Sequence, residues 1–318
     1  MVLSNMTNTQ TPGPARDFIG YGRTPPFVVW PNGAKVAINL VLVYEEGSEY
    51  SWLEDNGRND NWGEYNLTSS PPVRDLGTET HFEYGSRAGV WRLARLFDRY
   101  DVPVTVSACA VALKLNPEVA AWMNARGHDL LGHGLRWSDY SEMSRDEERK
   151  QLHEAIDMYT SVLGTRPLGW NCRSFPSVNT RELIIEEGGF LYYSDPCNDD
   201  IPYFIDHAIG RLLVVPYSKT LNDSRYLIAP GYSNPRDFAA DCCSAIDYVI
   251  GEADEAGGKM LTIAVHARWS GQPNRASGLR DVLEHVKQLK GAAAFMRRED
   301  IARHWLAHHE SFGTGACR

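Results

Sequence analysis

Short runs rich in β-branched and apolar residues alternate with longer amphipathic runs along most of this chain. The short runs are predicted strands, and they cover residues 35–43, 103–111, 128–132, 167–172, 190–194, 212–217, 260–265 and 292–296. The longer runs carry apolar residues at helical spacing, and they cover residues 87–100, 116–126, 144–163, 180–187, 235–256 and 299–308. Strands that alternate with helices form parallel βα units, because each helix carries the chain back to the start of the next strand.

This alternation predicts a single α/β domain. A distorted (β/α) barrel of about seven units fits the length of 318 residues, and an open doubly wound sheet is the alternative. The catalytic domain is expected to span residues 17–310, between a disordered tail over 1–16 and a short tail over 311–318.

A polar segment at residues 52–80 interrupts the alternation. It is longer than an ordinary connection between a strand and a helix. We therefore expect it to be either a lid over a site or a contact between subunits. Within this insertion, Asp60, Asn61, Trp62 and Glu64 are candidates to reach a substrate.

Charge and hydropathy narrow the classes of partner. The chain has 32 Lys and Arg residues against 41 Asp and Glu residues, a net charge of −9, without a concentrated basic stripe. Nucleic acids and anionic membranes are therefore not expected as partners. No run of about 18 apolar residues marks a membrane span or an export signal, and no G-x-G-x-x-G motif indicates a dinucleotide site.

The six cysteines include no C-x-x-C pair, and Cys242 and Cys243 are adjacent within a predicted helix. Adjacent residues of a helix are poorly placed to form a disulfide with each other. Free thiols are therefore expected, as in a reducing compartment. Together with the missing export signal, they predict a cytoplasmic protein.

Charged and imidazole side chains follow five of the predicted strands. In chain order they are Glu45 and Glu46, His133, Arg173, Asp195, and His266 with Arg268. The carboxyl ends of parallel strands meet at one rim of a barrel, which is where such folds place their active sites. We expect these side chains to form one site.

The residue types of this set suit the addition of water to a carbonyl group. A carboxylate can accept a proton from water, and a His or Arg can stabilise the oxyanion that forms. A second His can protonate the departing nitrogen. Because neighbouring residues of an extended chain face opposite sides, only one of Glu45 and Glu46 is expected to point into the site.

Aromatic and polar residues near the strand ends are further candidates for binding a substrate. The aromatic ones are Trp137, Trp170, Tyr192, Tyr193 and Trp269. They fit either a flat pocket for a planar ring or ordinary cover of the core. The polar ones are Asn222, Asp223, Arg268 and Asn274.

Seven runs, spread over nearly the whole chain, carry a resemblance to a known family. They are DFIGYGRTPP (17–26), NLVLVYEEGSE (39–49), YGSRAGVWRLARLFDRY (84–100), GHDLLGHGLRWSDY (127–140), RPLGW (166–170), EEGGFLYYSD (186–195) and DIARHW (300–305). Together they resemble the polysaccharide deacetylase (NodB-homology) family. Within it they are most similar to the branch of metal-independent PuuE-type allantoinases and cyclic imide hydrolases. The resemblance implies a NodB-like barrel and a homo-oligomer, with a tetramer expected.

The same resemblance assigns roles to the residues at the strand ends. Glu45 and Glu46 stand where deacetylases place a catalytic-base Asp and a metal-binding Asp, and His133 matches the first His of their H-x-x-x-H metal motif. The third motif contains Arg173, the fourth contains Asp195, and His266 is the late His that acts on the leaving group or the oxyanion.

The chain departs from the family at the second metal-binding His, because Trp137 stands four residues after His133. If a metal binds, Glu46 and His133 are the family ligands that remain, whereas a stable zinc site normally has three protein ligands and a water. We therefore expect no cofactor, with zinc as the alternative.

A site without a metal suits a carbonyl that is more electrophilic than an N-acetyl group. The expected reaction is the ring-opening hydrolysis of a small cyclic ureide or imide, such as allantoin to allantoate. In it Glu46 or Glu45 activates water, His133 and Arg173 hold the oxyanion, and His266 protonates the nitrogen. The expected substrate-binding residues are Trp137, Arg173, Asp195, Arg268 and Trp170.

Three alternatives to allantoin hydrolysis remain open. The first is hydrolysis of a cyclic imide to its half-amide. The second is a metal-dependent deacetylase of N-acetyl sugars with an altered set of ligands. The third is a family member without catalysis that binds a carbohydrate or a ureide.

Overall fold

The sheet is organised around one long strand, β1 (Val36–Tyr44), whose nine residues are all buried. Its sequence is rich in β-branched and apolar residues, as is usual for a parallel strand that is covered on both faces. In the computed structural model, which describes residues 13–54, 57–65 and 73–314, the strands that follow β1 are β2 (Thr105–Ala108), β3 (Asp129–Gly132), β4 (Gly169–Trp170), β5 (Tyr192–Tyr193), β6 (Tyr203–His207), β7 (Gly210–Val214), β8 (Lys259–His266) and β9 (Ala293–Phe295).

Helices lie between most of these strands and cover the outside of the sheet. They are α1 (Leu76–Tyr84), α2 (Val90–Tyr100), α3 (Ala110–Leu115), α4 (Pro117–Arg126), α5 (Arg145–Leu163), α6 (Thr180–Glu187), α7 (Pro235–Ala256), α8 (Pro273–Gln288) and α9 (Arg298–His308). A π-helical turn, Gly85–Gly89, joins α1 directly to α2. No helix of the described ranges has the length and apolar character needed to cross a membrane.

The strands form one curled sheet in the order β6-β7-β5-β4-β3-β2-β1-β8, and β9 pairs with the first part of β1. All pairs are parallel except the hairpin of β6 and β7. The chain that leaves β7 then reaches the free edge of β8, where Asn222 forms a parallel bridge with Ala264. This connection brings the two ends of the sheet together, so that the curled sheet encloses an interior.

Alternate residues of the strands face this interior. From β1, Ala37 and Val43 contact interior clusters that also contain Leu131 of β3 and Ala264 of β8. The intervening residues of β1, such as Leu42, belong to the larger cluster formed with the helices. The two faces of each strand therefore pack against different layers, and a residue's position in this alternation decides which layer it joins.

The structure confirms the α/β barrel, and several boundaries differ from those predicted. The strand predicted at 103–111 ends at Ala108, because the chain turns there into α3. β6 and α8 were not predicted. In α8 the buried residues do recur at helical spacing, but Gly278 lies in the middle of the helix and weakens the signal. Its lack of a Cβ is required, since a Cβ there would lie 2.4 Å from the carbonyl oxygen of Pro235.

The predicted polar insertion is only partly irregular. Its last residues form the start of α1, which begins at Leu76 behind the N-cap Asp75. Of the predicted tails, residues 1–12 and 315–318 lie outside the described residues, and so does Cys317. The assignment of residues 17–310 as the catalytic domain stays a prediction.

The π-helical turn offers a test of how tightly the rim is packed. A Cβ at Gly89 would lie 2.0 Å from the carbonyl oxygen of Ala267, just beyond the end of β8, and backbone cannot yield as a flexible side chain can. We expect Gly89→Ala to lower the free energy of unfolding by about 1–3 kcal/mol or more. The control is Gly251→Ala in α7, where no atom lies within 4 Å. We expect that variant to be more stable by about 0.5–1 kcal/mol. Urea unfolding of both variants measures the difference, and equal effects would show that the contact is not tight.

Candidate active site

Glu45 lies at the centre of a cluster of charged groups inside the rim. It continues the inward-facing alternation of β1, and its side chain is 2% exposed. One carboxylate oxygen, Oε2, accepts a hydrogen bond from Nη1 of Arg268 at 2.7 Å. The other oxygen, Oε1, lies 3.2 Å from Nε2 of His133 and 3.9 Å from Nε2 of His266. Burial alone would raise the pKa of Glu45, but the Arg268 guanidinium and the two imidazoles lower it to about 2.

Glu46 faces the opposite side of the chain. Its Oε2 accepts a hydrogen bond from the backbone N–H of Glu45 at 2.8 Å, and its carboxylate packs against Gly85 of the π-helical turn. Its Oε1 is buried without a hydrogen-bond partner among the described residues. Burial raises the pKa of Glu46 to about 7, although Arg268 at 3.7 Å partly opposes this shift. Of the two carboxylates that the sequence left unresolved, Glu45 is the one in contact with both imidazoles.

Both imidazoles turn the same ring atom towards Glu45. Nδ1 of His133 lies 2.9 Å from the carbonyl oxygen of Asn171, and Nδ1 of His266 lies 2.6 Å from Oδ1 of Asp223. Because a carbonyl and a carboxylate can only accept here, each Nδ1 carries a proton and each Nε2 is left for chemistry. Oδ2 of Asp223 also accepts the backbone N–H of His266 at 2.8 Å, which fixes the ring to its support.

Asp195 lies behind His133. Its Oδ1 accepts hydrogen bonds from the backbone N–H of Cys172 at 2.6 Å and from Nδ2 of Asn171 at 3.0 Å. Asn171 in turn holds His133 through its carbonyl oxygen. Burial raises the pKa of Asp195. In this arrangement Asp195 supports the residue that orients His133.

The buried guanidinium of Arg268 completes the cluster. Its Nε donates to the carbonyl oxygen of Trp62 at 3.0 Å, and Nη2 has no hydrogen-bond partner in the described part of the chain. The guanidinium carbon lies 4.2 Å from the ring centre of Trp269 and 5.1 Å from that of Trp137. Burial alone would lower the pKa of Arg268, but the neighbouring carboxylates, Glu45 foremost, raise it, so the group stays charged.

Arg173 and Trp170 lie apart from Glu45. Arg173 donates through Nη1 to Oδ2 of Asp60 and to the carbonyl oxygen of Trp137, both at 2.7 Å, so its contacts are with the insertion and a neighbouring loop. Trp170 is 1% exposed and belongs to the cluster formed with the helices. The alternation explains the position of Trp170, because Asn171, one residue later, is the inward-facing position next to His133.

The other residues proposed from the sequence also divide into those that reach the site and those that do not. Trp269 reaches the site, with its ring centre 4.3 Å from that of His266. Asn274 is exposed in the first turn of α8, and the side chain of Asn222 caps a short turn by accepting from Ser224 N–H at 2.8 Å. The orienting role of Asn171 was missed. A polar residue directly after the β4 run was the available signal.

The side chains present do not fit the zinc site of the deacetylases. Trp137 stands at one ligand position, and Glu46, the other carboxylate of the pair, faces away from His133. The positive charge beside Glu45 is supplied by Arg268. Within residues 13–54, 57–65 and 73–314, no three His, Cys, Asp or Glu side chains are grouped so that they could hold a metal ion.

The opposite environments of Glu45 and Glu46 predict opposite effects on stability. The raised pKa of Glu46 means that its stabilising contribution is present below pH 4.5 and is lost as the pH rises to about 7. Between pH 5 and pH 8 we expect the free energy of unfolding of Glu46→Gln to rise relative to that of the wild type, by an amount on the order of 3 kcal/mol. Glu45→Gln leaves Arg268 buried without its partner. We expect the free energy of unfolding of this variant to fall by about 3–5 kcal/mol at pH 7. Urea unfolding at several pH values measures both, and a parallel response of the two variants would contradict the assignment.

Comparisons with known proteins agree with this fold. A family model described as polysaccharide deacetylase matches residues 79–178. A Schizosaccharomyces pombe protein assigned to the polysaccharide deacetylases is 35% identical over 299 residues, which cover 88% of this chain and 93% of that protein. This identity and this coverage show that the two proteins belong to one family.

Two crystal structures are similar over 92% of this chain and 98% of their own. A Pseudomonas aeruginosa PAO1 protein assigned as a polysaccharide deacetylase is 41% identical, with a TM-score of 0.88. PuuE allantoinase is 40% identical, with a TM-score of 0.87. The predicted NodB-like barrel is thereby confirmed. Deacetylases and allantoinases both hydrolyse C–N bonds, and this chain belongs to the polysaccharide deacetylase family of hydrolases.

Proposed function

We propose that this protein opens a small cyclic ureide or imide by hydrolysis, with allantoin to allantoate as the leading case. The observation that carries the proposal is Glu45, whose carboxylate faces two imidazole Nε2 atoms while a buried guanidinium supplies the positive charge. The similarity to PuuE allantoinase supports the same choice.

In the proposed reaction, a water held by Glu45 attacks the ring carbonyl carbon. The water proton moves through Glu45 to Nε2 of His266, because a carboxylate with a pKa of about 2 holds a proton only briefly. Asp223 stabilises the imidazolium that results. The π electrons of the carbonyl bond move onto its oxygen, which becomes an oxyanion. When the oxyanion collapses, the ring C–N bond breaks and His266 returns the proton to the leaving nitrogen.

In this proposal the oxyanion is held by the charged guanidinium of Arg268, which offers the N–H groups of Nη2. Nε2 of His133 lies 3.2 Å from Glu45, where it can accept a hydrogen bond from the attacking water. Arg173 was expected to hold the oxyanion, but Nη1 and Nε of Arg173 are directed at Asp60, Asp139 and the Trp137 carbonyl. Preorganised cations in a site without bulk water can supply a large part of the stabilisation of such an intermediate.

The burial of the catalytic groups favours a small cyclic substrate. His133 and His266 are each 6% exposed and Glu45 is 1% exposed. A polysaccharide chain needs an open groove that passes over the catalytic groups, whereas a small ring can be enclosed. Trp137 and Trp269 pack against the arginines and the imidazole of this enclosed site.

Deacetylation of an N-acetyl sugar is the second candidate, and the Pseudomonas aeruginosa and Schizosaccharomyces pombe relatives favour it by their assignment. The two candidates differ in the shape of the substrate and in the need for a metal. Expected properties that remain proposals are a homo-oligomer, a cytoplasmic location and the absence of a cofactor.

Activity on a panel of substrates tests the proposed function. The panel comprises allantoin, hydantoin, dihydrouracil, succinimide, phthalimide and N-acetylglucosamine oligomers. We expect turnover of at least one cyclic amide and none of the sugars. With the accepted substrate, Glu45→Gln and His266→Gln should each lose about 10²–10⁴-fold in kcat, while Glu46→Gln keeps most of its activity. Turnover of the sugars alone, or a larger loss for Glu46→Gln than for Glu45→Gln, would overturn the proposal.

Removal of metal ions separates the two candidate functions independently. We expect dialysis against a chelator to leave the ring-opening rate unchanged, because Arg268 occupies the position beside Glu45 where a positive charge is needed. Metal content by elemental analysis and the rate before and after dialysis are the measurements. A rate that falls with chelation and returns with zinc would favour the deacetylase alternative.

A further inference from the structure

The polar insertion contributes one carboxylate to the interior of the protein. We infer that Asp60 is a positioning residue that fixes both buried arginines of the site, one through each of its two oxygens. The inference deepens the proposed function and rests on it for the measurements of activity. In this inference the insertion completes the site, and its expected contact with another subunit stays a prediction.

The first oxygen of Asp60 holds Arg173. Oδ2 of Asp60 accepts from Nη1 of Arg173 at 2.7 Å, and the two side chains are 0% and 5% exposed. The same Nη1 donates to the carbonyl oxygen of Trp137, and the guanidinium stacks 3.6 Å from the centre of that indole ring. Asp60 therefore determines where Arg173 and the ring of Trp137 lie.

The second oxygen of Asp60 reaches Arg268 through the backbone. Oδ1 accepts the N–H of Trp62 at 2.9 Å, which closes a turn within the insertion. The carbonyl oxygen of Trp62 then accepts from Nε of Arg268 at 3.0 Å. The next carbonyl, that of Gly63, accepts from Nε1 of Trp269 at 3.1 Å. The turn that Asp60 closes thus accepts hydrogen bonds from Arg268, which contacts Glu45, and from the indole of Trp269, which packs on His266.

These contacts affect stability strongly because the guanidinium groups of Arg173 and Arg268 are buried. A guanidinium that loses its carboxylate inside a protein carries a large desolvation cost unless it moves or is hydrated. Among the described residues, Asp139 is the one acidic partner that Arg173 keeps without Asp60, at 3.3 Å on Nε, and Asp139 is 25% exposed. Arg268 keeps Glu45 but loses the acceptor that sets the direction of its Nε–H. We expect the insertion to loosen and the catalytic geometry to relax.

Other contacts anchor the insertion without touching the catalytic groups. Glu64 forms a paired contact with Arg275 at 2.7 and 2.9 Å, and Arg58 contacts Glu142 at 3.0 Å. These pairs lie at the edge of the insertion and are partly or fully exposed. The sequence named Glu64 as a candidate to reach a substrate, but both of its carboxylate oxygens are directed at Arg275 and neither contacts Glu45, His133 or His266. Glu64→Gln is therefore a matched control, because it removes one carboxylate charge from the same segment and leaves both buried arginines in place.

Two substitutions of Asp60 separate its two contacts. Asp60→Asn keeps an oxygen for the Trp62 N–H but loses the charge that holds Arg173, while Asp60→Ala loses both. With the cyclic amide accepted by the wild type, we expect kcat to fall about 10–100-fold in Asp60→Asn and further in Asp60→Ala. The KM should change less than kcat. Glu64→Gln should keep the wild-type kcat.

The pH profile of kcat/KM gives a readout that a loosened loop alone would not move. The groups that face the Glu45 carboxylate are Arg268, His133 and His266, and the charge of Glu46 acts on the same guanidinium from the other side of the chain. Displacement of Arg268 removes the largest stabilisation of ionised Glu45, so the acid limb should shift to higher pH in Asp60→Ala and stay in place in Glu64→Gln. Unchanged kcat and pH profile in both Asp60 variants, or equal losses in Asn and Ala variants, would overturn the inference.

Hydrogen exchange tests the inference without any substrate. The backbone N–H of Trp62 should be protected in the wild type, in Glu64→Gln and in Asp60→Asn, and should exchange rapidly in Asp60→Ala. If the wild type hydrolyses no cyclic amide, the proposed function fails while this comparison still decides whether Asp60 forms the turn. Rapid exchange of the Trp62 N–H in the wild type would contradict the positioning role.

Discussion

The ion pair between Glu45 and Arg268 is the interaction on which the site depends. Both groups are almost fully buried, with Nη1 and Oε2 2.7 Å apart. A buried pair of this kind repays its desolvation only if the remaining hydrogen-bonding groups also find partners. Here the partners are the imidazole of His133, the carbonyl oxygen of Trp62 and the aromatic faces around the guanidinium. The insertion and the rim of the sheet are thus joined through one pair of charges.

The position of that pair follows from the register of two parallel strands. Val43 of β1 is paired with His266 of β8. Two residues beyond this pair, just past the strand ends, are Glu45, which keeps the inward-facing alternation, and Arg268, which lies in the turn that follows β8. The same alternation turns Glu46 into the helix layer. A shift of one residue in this register would exchange the inner and outer carboxylates and separate Glu45 from Arg268.

Much of the fold and the general location of the site could be predicted from the sequence. The β-branched run that forms β1 and the polar residues His133 and His266 after later strands are local signals, and parallel strands bring their ends together. The inward direction of Glu45 could not be predicted, because it depends on whether the pleat of β1 continues beyond Tyr44. The partner of Arg173 depends on the path of the insertion, which no local pattern encodes. β4 and β5, with two residues each, owe their pairing to neighbouring strands.

The outward orientation of Glu46 bears on how such a site can evolve. Replacing Trp137 with histidine would restore a nitrogen at the family position. The carboxylate of Glu46 would still face Gly85, which it approaches so closely that a Cβ at residue 85 has no room. The guanidinium of Arg268 would also repel an incoming cation. A zinc site with the ligand set expected from the family would therefore need changes at Trp137, Glu46 and Arg268 together. A single substitution at Trp137 would therefore leave the Glu46 carboxylate and the Arg268 guanidinium in an arrangement that does not suit the zinc ligands expected from the family resemblance.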